Sequence, residues 1–257
     1  MQPGRIIQIM FCWVLTLLAI SCQKDPDIIG KGTIQIQFIP TMDGKPFEVN
    51  QLFQGPNGKR MKIEDFRFYI DEIRFDGQAG ASVRKDVSLI DFSKNQQSIL
   101  ITAPVGIYHN LKFGIGVNKL LNGIGIPDFN PASYPMSHPL SIYNGMYWTN
   151  QTGYVFMRIE GKTDTSSTQD KSADYSWFYH VGTDTLYEYC HFEKTTWKVW
   201  ADKTTLVRIG IEVNDLFRNE KDTIDMVKEP FTHTTDQFEL ASRVISNMRK
   251  NIRIIEN

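Results

Sequence analysis

The sequence predicts an all-β protein: an antiparallel β-sandwich with long loops and one C-terminal α-helix. Three observations carry that prediction. Most apolar segments alternate with period two, the pattern of a strand with one buried face. Turn-forming clusters separate these segments. A single stretch near the C-terminus repeats its apolar residues at helical spacing instead.

The strands follow in order. Ile34, Ile36 and Phe38 alternate with Gln35 and Gln37. The run from Phe66 to Phe75 alternates, slips at Asp71-Glu72, and resumes through Ile73 and Phe75. Such a slip implies a β-bulge or two short strands. Leu111, Phe113, Ile115 and Val117 form the next run, then Val155, Met157 and Ile159, then Val207, Ile209, Ile211 and Val213. Trp197-Lys198-Val199-Trp200 is a further short strand candidate. Asp43-Gly44-Lys45-Pro46, Gly55-Pro56-Asn57-Gly58 and Ala103-Pro104-Val105-Gly106 supply turns. The stretch from Asn118 to Tyr147 is long and rich in Pro, Gly, Asn and Ser. Its aromatics and prolines favour an ordered excursion, and a structured loop of this length is usually functional. Thr163 to Ser176 is polar and reads as a mobile hairpin tip. Thr234 and Gln237 fit a capping box ahead of Phe238, Ala241, Ile245 and Met248. Lys250 and Arg253 fall where a helix C-terminus favours cations.

The N-terminus reads as an export signal. Arg5 precedes an apolar stretch from Ile6 to Ile20, broken only by Gln8 and Thr16. That is short for a membrane span, which needs about 20 apolar residues, and suits a signal peptide. It ends in Leu18-Ala19-Ile20-Ser21-Cys22, so residues 1–21 are expected to be removed and Cys22 to be lipidated. Residues 22–31 are expected to form the tether and 32–257 the domain; Gln23-Lys24-Asp25-Pro26-Asp27 resembles the charged tether of some Bacteroidetes surface lipoproteins, with a plain solvated linker as the alternative. A plain secretory signal with an incidental cysteine, or a short N-terminal anchor, is the alternative to the lipoprotein signal. The expected location is the cell envelope, as an outer-membrane lipoprotein facing either the periplasm or the exterior.

Removal of residues 1–21 takes away Arg5 and no acid, leaving 27 Lys+Arg against 29 acids. Near-neutrality argues against nucleic acid as a partner, because phosphate binding needs a basic footprint. With Cys12 removed and Cys22 acylated, only Cys190 remains, so no intramolecular disulfide is possible. Cys190 reads as a buried apolar residue, with a thiolate metal ligand as the sharper alternative.

The five histidines are His109, His138, His180, His191 and His233. None lies in a local zinc-binding spacing. There is no nucleophile elbow or P-loop, so no enzymatic activity is expected. His109 and His191 sit in strand-like segments and read as ordinary strand or surface residues.

Two segments take the reading further. One is Gly145-Met146-Tyr147-Trp148-Thr149-Asn150-Gln151-Thr152-Gly153-Tyr154, followed by Glu160-Gly161. The other is Phe178-Tyr179-His180-Val181-Gly182-Thr183. Together with Phe66-Arg67-Phe68-Tyr69-Ile70 and Phe113-Gly114-Ile115-Gly116-Val117-Asn118, they resemble the MbnP-like family. This family is related to the MopE and CorA copper proteins of methane-oxidising bacteria. The resemblance implies copper binding in the envelope, through imidazoles and a tryptophan oxidised to kynurenine by a diheme peroxidase-like partner. Trp148 matches the family's Met-x-Trp position, although a tryptophan packed beneath the long loop would show the same pattern. His180 matches the His-x-Gly position and is the first metal-ligand candidate. His233, just before the expected helix cap, is the second. His138 stands where relatives more often carry Asp in Asp-Pro-Leu, and either adds a ligand or changes a loop residue. Asn150 replaces the second tryptophan of a Trp-x-Trp seen in many relatives. The competing function is a surface module that binds glycan or protein without metal.

Overall fold

The computed structural model describes residues 30–166, 168 and 173–255. The expected signal peptide, Cys22 and most of the tether fall outside these residues, as do 167 and 169–172 of the polar stretch before Tyr175. Eight described strands have seven residues or more: β1 (Lys31–Met42), β2 (Arg60–Gly77), β3 (Ser98–Pro104), β4 (Gly106–Ile115), β5 (Gly153–Thr163), β6 (Tyr175–Gly182), β7 (Glu188–Val199) and β8 (Thr204–Glu212). They form two facing sheets. In the smaller, β1 lies between β8 and β3. In the larger, the order of the long strands is β7-β4-β2-β5-β6. The 18-residue β2 pairs β5 with its first half and β4 with its second.

The sandwich is mixed rather than purely antiparallel. β1 and β8 run parallel, with Ile36 opposite Val207 and Phe38 opposite Ile209. Period-two alternation fixes which face is buried but carries no strand direction. In β1 the alternation is complete: Ile34, Ile36 and Phe38 are fully buried between less buried glutamines. Phe38 reaches across to the larger sheet, where its ring meets Phe68 edge-on at 5.5 Å and Phe113 at 6.3 Å. Edge-to-face pairs add about 0.5–1.5 kcal/mol each beyond their burial.

The slip at Asp71-Glu72 is a bulge within one continuous strand: the pairing of β2 with β4 shifts between Asp71 and Arg74. Glu72 adopts a positive φ of 50° there. Its carboxylate accepts hydrogen bonds from Tyr187 and Tyr189 at 3.0 and 2.6 Å, which hold the kink.

The segment between Asn118 and Tyr147 is an ordered excursion over the outer face of the larger sheet. Tyr69, Leu140, Met146, Tyr154, Val155 and Phe156 form a second buried cluster beneath it. The Tyr69 and Tyr154 hydroxyls donate to the carbonyls of Pro139 and Leu140 at 2.9 and 2.7 Å. Asn122, fully buried, donates to Asp184 and accepts from the Tyr154 backbone N–H.

The C-terminal helix spans Phe238–Asn251. Leu240, Ala241, Val244, Ile245 and Met248 face the core, whereas Phe238 is 45 % exposed. Its start departs from the expected capping box. Gln237 occupies the cap position and makes no side-chain capping bond, and Thr234 lies outside the helix. The Thr234 hydroxyl instead bonds β6, accepting from Gly182 N–H and donating to the His180 carbonyl. Among the described residues no helix is long and apolar enough to cross a membrane.

Candidate metal centre

The histidine pair is a product of strand alternation. In β6, Trp177, Tyr179 and Val181 point into the core, so Phe178 and His180 point out. The two-residue strand Phe231–Thr232 pairs parallel to β6, with Phe178 opposite Phe231 and Tyr179 opposite Thr232. Continuing that register by one residue sets His233 beside His180 on the same outer face. The two imidazole centroids are 5.3 Å apart at 69°. Trp148 closes over both, with its ring 5.8 Å from His180 and 5.9 Å from His233. Phe178 flanks the pair, 5.3 Å from one ring and 5.0 Å from the other.

Each imidazole is held by a carboxylate through one nitrogen. His180 Nε2 lies 2.6 Å from Glu160 Oε1. That hydrogen bond, foremost, and the Arg158 guanidinium overcome burial and hold the Glu160 carboxyl below its ordinary range. An ionised carboxylate only accepts, so Nε2 carries the proton. His180 Nδ1 is buried and has no hydrogen-bond partner. His233 shows the mirror arrangement: its Nδ1 meets Asp236 Oδ2 at 3.1 Å, and its backbone N–H donates to Asp236 Oδ1 at 2.7 Å. Burial pushes the Asp236 carboxyl up, but the bonds from His233 outweigh it and the group sits below the usual range. His233 Nε2 is therefore the ring nitrogen left for a ligand. One nitrogen tied to a carboxylate and the other free is how proteins orient imidazoles for metals.

Glu160 is itself anchored. Arg158 Nη2 binds Glu160 at 2.6 Å, and Arg158 Nε reaches Asp65 at 3.0 Å. Asp65 also accepts from Arg67 Nε at 2.7 Å. The His233 loop is fastened to β6 by Thr234, whose hydroxyl donates to the His180 carbonyl at 2.9 Å and accepts from Gly182 N–H at 2.8 Å. Thr234 holds φ at +72°, strained for a β-branched residue. Such strain persists only where surrounding bonds enforce it.

The ring spacing fits one shared ion. Imidazole nitrogens bind zinc at about 2.0–2.1 Å, which puts the metal about 3.2 Å from each ring centroid and caps the centroid separation near ~6.4 Å. Among the described residues no three His, Cys, Asp or Glu side chains form a metal-holding group. A centre here would rest on two imidazoles and whatever Trp148 or an external ligand adds.

The other candidates lie apart from this cluster. His138 stacks on Tyr134 at 4.4 Å, and its Nδ1 accepts the Leu140 backbone N–H at 3.1 Å. That bond places the proton on Nε2, the nitrogen a metal would need. His109 bonds Thr196, and His191 is an exposed residue beside Glu193. Asn150 is exposed and bonds Tyr147, so position 148, not 150, is the one that meets both imidazoles. Cys190 is buried, and burial pushes its thiol up to about 12. The native protein is therefore expected to resist iodoacetamide at pH 8 and to react at Cys190 once unfolded. Rapid native alkylation would show the thiol to be open and ionisable.

A β-sandwich carrying a carboxylate-braced histidine pair under a tryptophan is the class defined by this geometry. The MbnP family profile matches residues 31–236, and the chain belongs to that family, which is linked to copper handling. Among solved structures, MbnP from Methylosinus trichosporium superposes with a TM-score of 0.53, covering 76 % of this chain and 80 % of that one at 18 % identity. At that identity the likeness concerns the fold. A comparison with curated protein sequences finds no match.

Sequence motifs singled out His180, His233 and Trp148, and the structure brings those three together. Glu160, Asp236 and Thr234 in their present roles were not legible. Only a known register for β5, β6 and the Phe231–Thr232 strand would have revealed them.

Proposed function

We propose that this is a lipid-anchored envelope protein that binds copper between His180 Nδ1 and His233 Nε2, for uptake, storage or delivery. The carrying observation is the orphaned, buried His180 Nδ1 lying in an imidazole pair whose remaining nitrogens are fixed by Glu160 and Asp236. An unpartnered buried ring nitrogen is costly unless something occupies it. Imidazole suits copper, and a two-imidazole set without thiolate suits an exported protein. His138 is left out of the ligand set because its Nδ1 is taken by the Leu140 N–H and its Nε2 carries the proton, which leaves no free ring nitrogen. No catalytic role is assigned to the pair.

Trp148 covers both rings and is half-buried. In this reading it is the residue that a diheme peroxidase-like partner would oxidise, adding donor groups that indole lacks. Intact mass of protein from a host carrying that partner reads the change directly.

The deciding experiment is copper titration of the purified protein. One tight equivalent is expected, lost in His180→Ala and in His233→Ala but kept in His138→Ala. A His138→Ala loss equal to the other two would move the site, and no binding by the wild type would sink the copper reading in favour of a metal-free surface module.

A further inference from the structure

Where the chain runs into β1, it is clasped by two hairpin tips. The Gly30 carbonyl accepts from Val105 N–H at 3.0 Å, and the Lys31 carbonyl accepts from Asp202 N–H at 2.9 Å. The Lys203 carbonyl in turn accepts from Thr33 N–H at 2.9 Å. The β3–β4 tip, the β7–β8 tip and the start of the domain are therefore one end of the sandwich.

That end carries an unusual surface for a solvated turn. Trp200 is 53 % exposed, and Lys198 Nζ lies 3.7 Å above its ring. Lys31 and Lys203 are exposed beside them, and Asp202 is the acid among these residues. Tryptophan seeks the boundary between hydrocarbon and water, where its ring is buried and its N–H stays wet. Lysines next to it extend their charge to lipid phosphates while their stems lie along apolar surface.

We infer that this tip is a membrane-apposed face, with Trp200 seated in the interface of an anionic phospholipid bilayer and Lys31, Lys198 and Lys203 on its headgroups. The inference rests on the lipid anchor of the proposed function. Between Cys22 and Lys31 lie eight residues. Fully extended, they span at most about 30 Å, so an acylated Cys22 holds this end of the domain within that distance of the bilayer. The orientation has a consequence for the histidine pair. His180 is level with Arg158, and Arg158 with Arg67 of β2. Arg67 is ten residues from Gly77, the β2 residue that pairs with Tyr108 near the tip. At about 3.3 Å per residue the pair stands roughly 30 Å along the sheet from the lipid, clear for a protein partner.

The test uses the full-length, acylated protein reconstituted in vesicles of phosphatidylcholine and phosphatidylglycerol with brominated acyl chains. The share of tryptophan emission that distinguishes wild type from Trp200→Phe is expected to be mostly quenched. That quenching should fall in a Lys198→Glu, Lys203→Glu variant. Equal quenching of wild type and Trp200→Phe overturns the membrane-apposed face, including the case in which a protein partner covers Trp200. The anchor is read separately by incorporation of labelled fatty acid, lost in Cys22→Ser. An acylated protein with unquenched Trp200 removes the docking face alone; an unlabelled chain removes the anchor, and the proximity inference with it.

Discussion

Gly161→Val is expected to destabilise the protein by about 3 kcal/mol or more, a size reserved for core overpacking and backbone displacement. Gly161 lies on β5 opposite Ile63, just past a register shift between Glu160 and Gly161. A Cβ there would overlap the Lys62 backbone carbonyl oxygen, and would lie 2.7 Å from the Trp177 indole and 3.1 Å from Ile63 Cα. Neither neighbour can yield cheaply. The Lys62 carbonyl belongs to a paired strand, and Trp177 is 1 % exposed, edge-on to Phe217 at 5.3 Å. Urea unfolding should show a lower midpoint at unchanged slope, which isolates stability from compactness. A variant within about 0.5 kcal/mol of wild type, the range of neutral surface changes, would mean β2 and Trp177 of β6 give way around β5 more easily than their packing implies.

Gly161 also shows what the recognisable motifs consist of. The glycine of Glu160-Gly161 is there because a tryptophan and a backbone approach it. Gly182, the glycine of the His-x-Gly step, is there because a Cβ would come within 2.7 Å of the Tyr154 carbonyl. His138-Pro139-Leu140 offers the carbonyls that Tyr69 and Tyr154 bond. Much of the pattern that marks the family is thus packing. The chemistry sits in the few residues that alternate outward beside these fixed points.

Alternation made the strands legible, since the burial it encodes is local. The slip at Asp71-Glu72 was legible for the same reason: a bulge breaks period two wherever it occurs. Strand direction and partner were not, because they depend on contacts between distant segments. β1 meets β8 across more than 160 residues. The same limit hid the brace around the histidines. Glu160 is 20 residues from His180 in sequence and 2.6 Å away in space. Thr234 looked like a helix cap because Ser/Thr-x-x-Gln is a sound local signal. Tertiary bonds to His180 and Gly182 overrode it. What the sequence did carry to the site was the identity of its rings, because Trp148 and His180 lie inside motifs and His233 stands just before the expected helix cap.

On the copper reading, Glu160→Ala is expected to weaken copper binding by about 100-fold and Glu160→Gln by about 10-fold, the span seen when carboxylates behind metal-bound histidines are removed. The two differ for a physical reason. Alanine leaves the buried Nε2–H of His180 without an acceptor, so the ring gains by moving its proton to Nδ1 or by turning, and both remove the ligand nitrogen. Glutamine keeps an acceptor oxygen but gives up the charge that Arg158 and His180 share. Asp236→Ala should act in the same direction with a smaller effect, because His233 is half exposed and water can replace the lost carboxylate. A chelator competition titration reads all three, with circular dichroism confirming an unchanged fold. A purely structural brace would lower stability in Glu160→Ala and leave copper affinity where it was; affinity that falls from wild type to Gln to Ala at constant fold requires the carboxylate to act through the His180 ring.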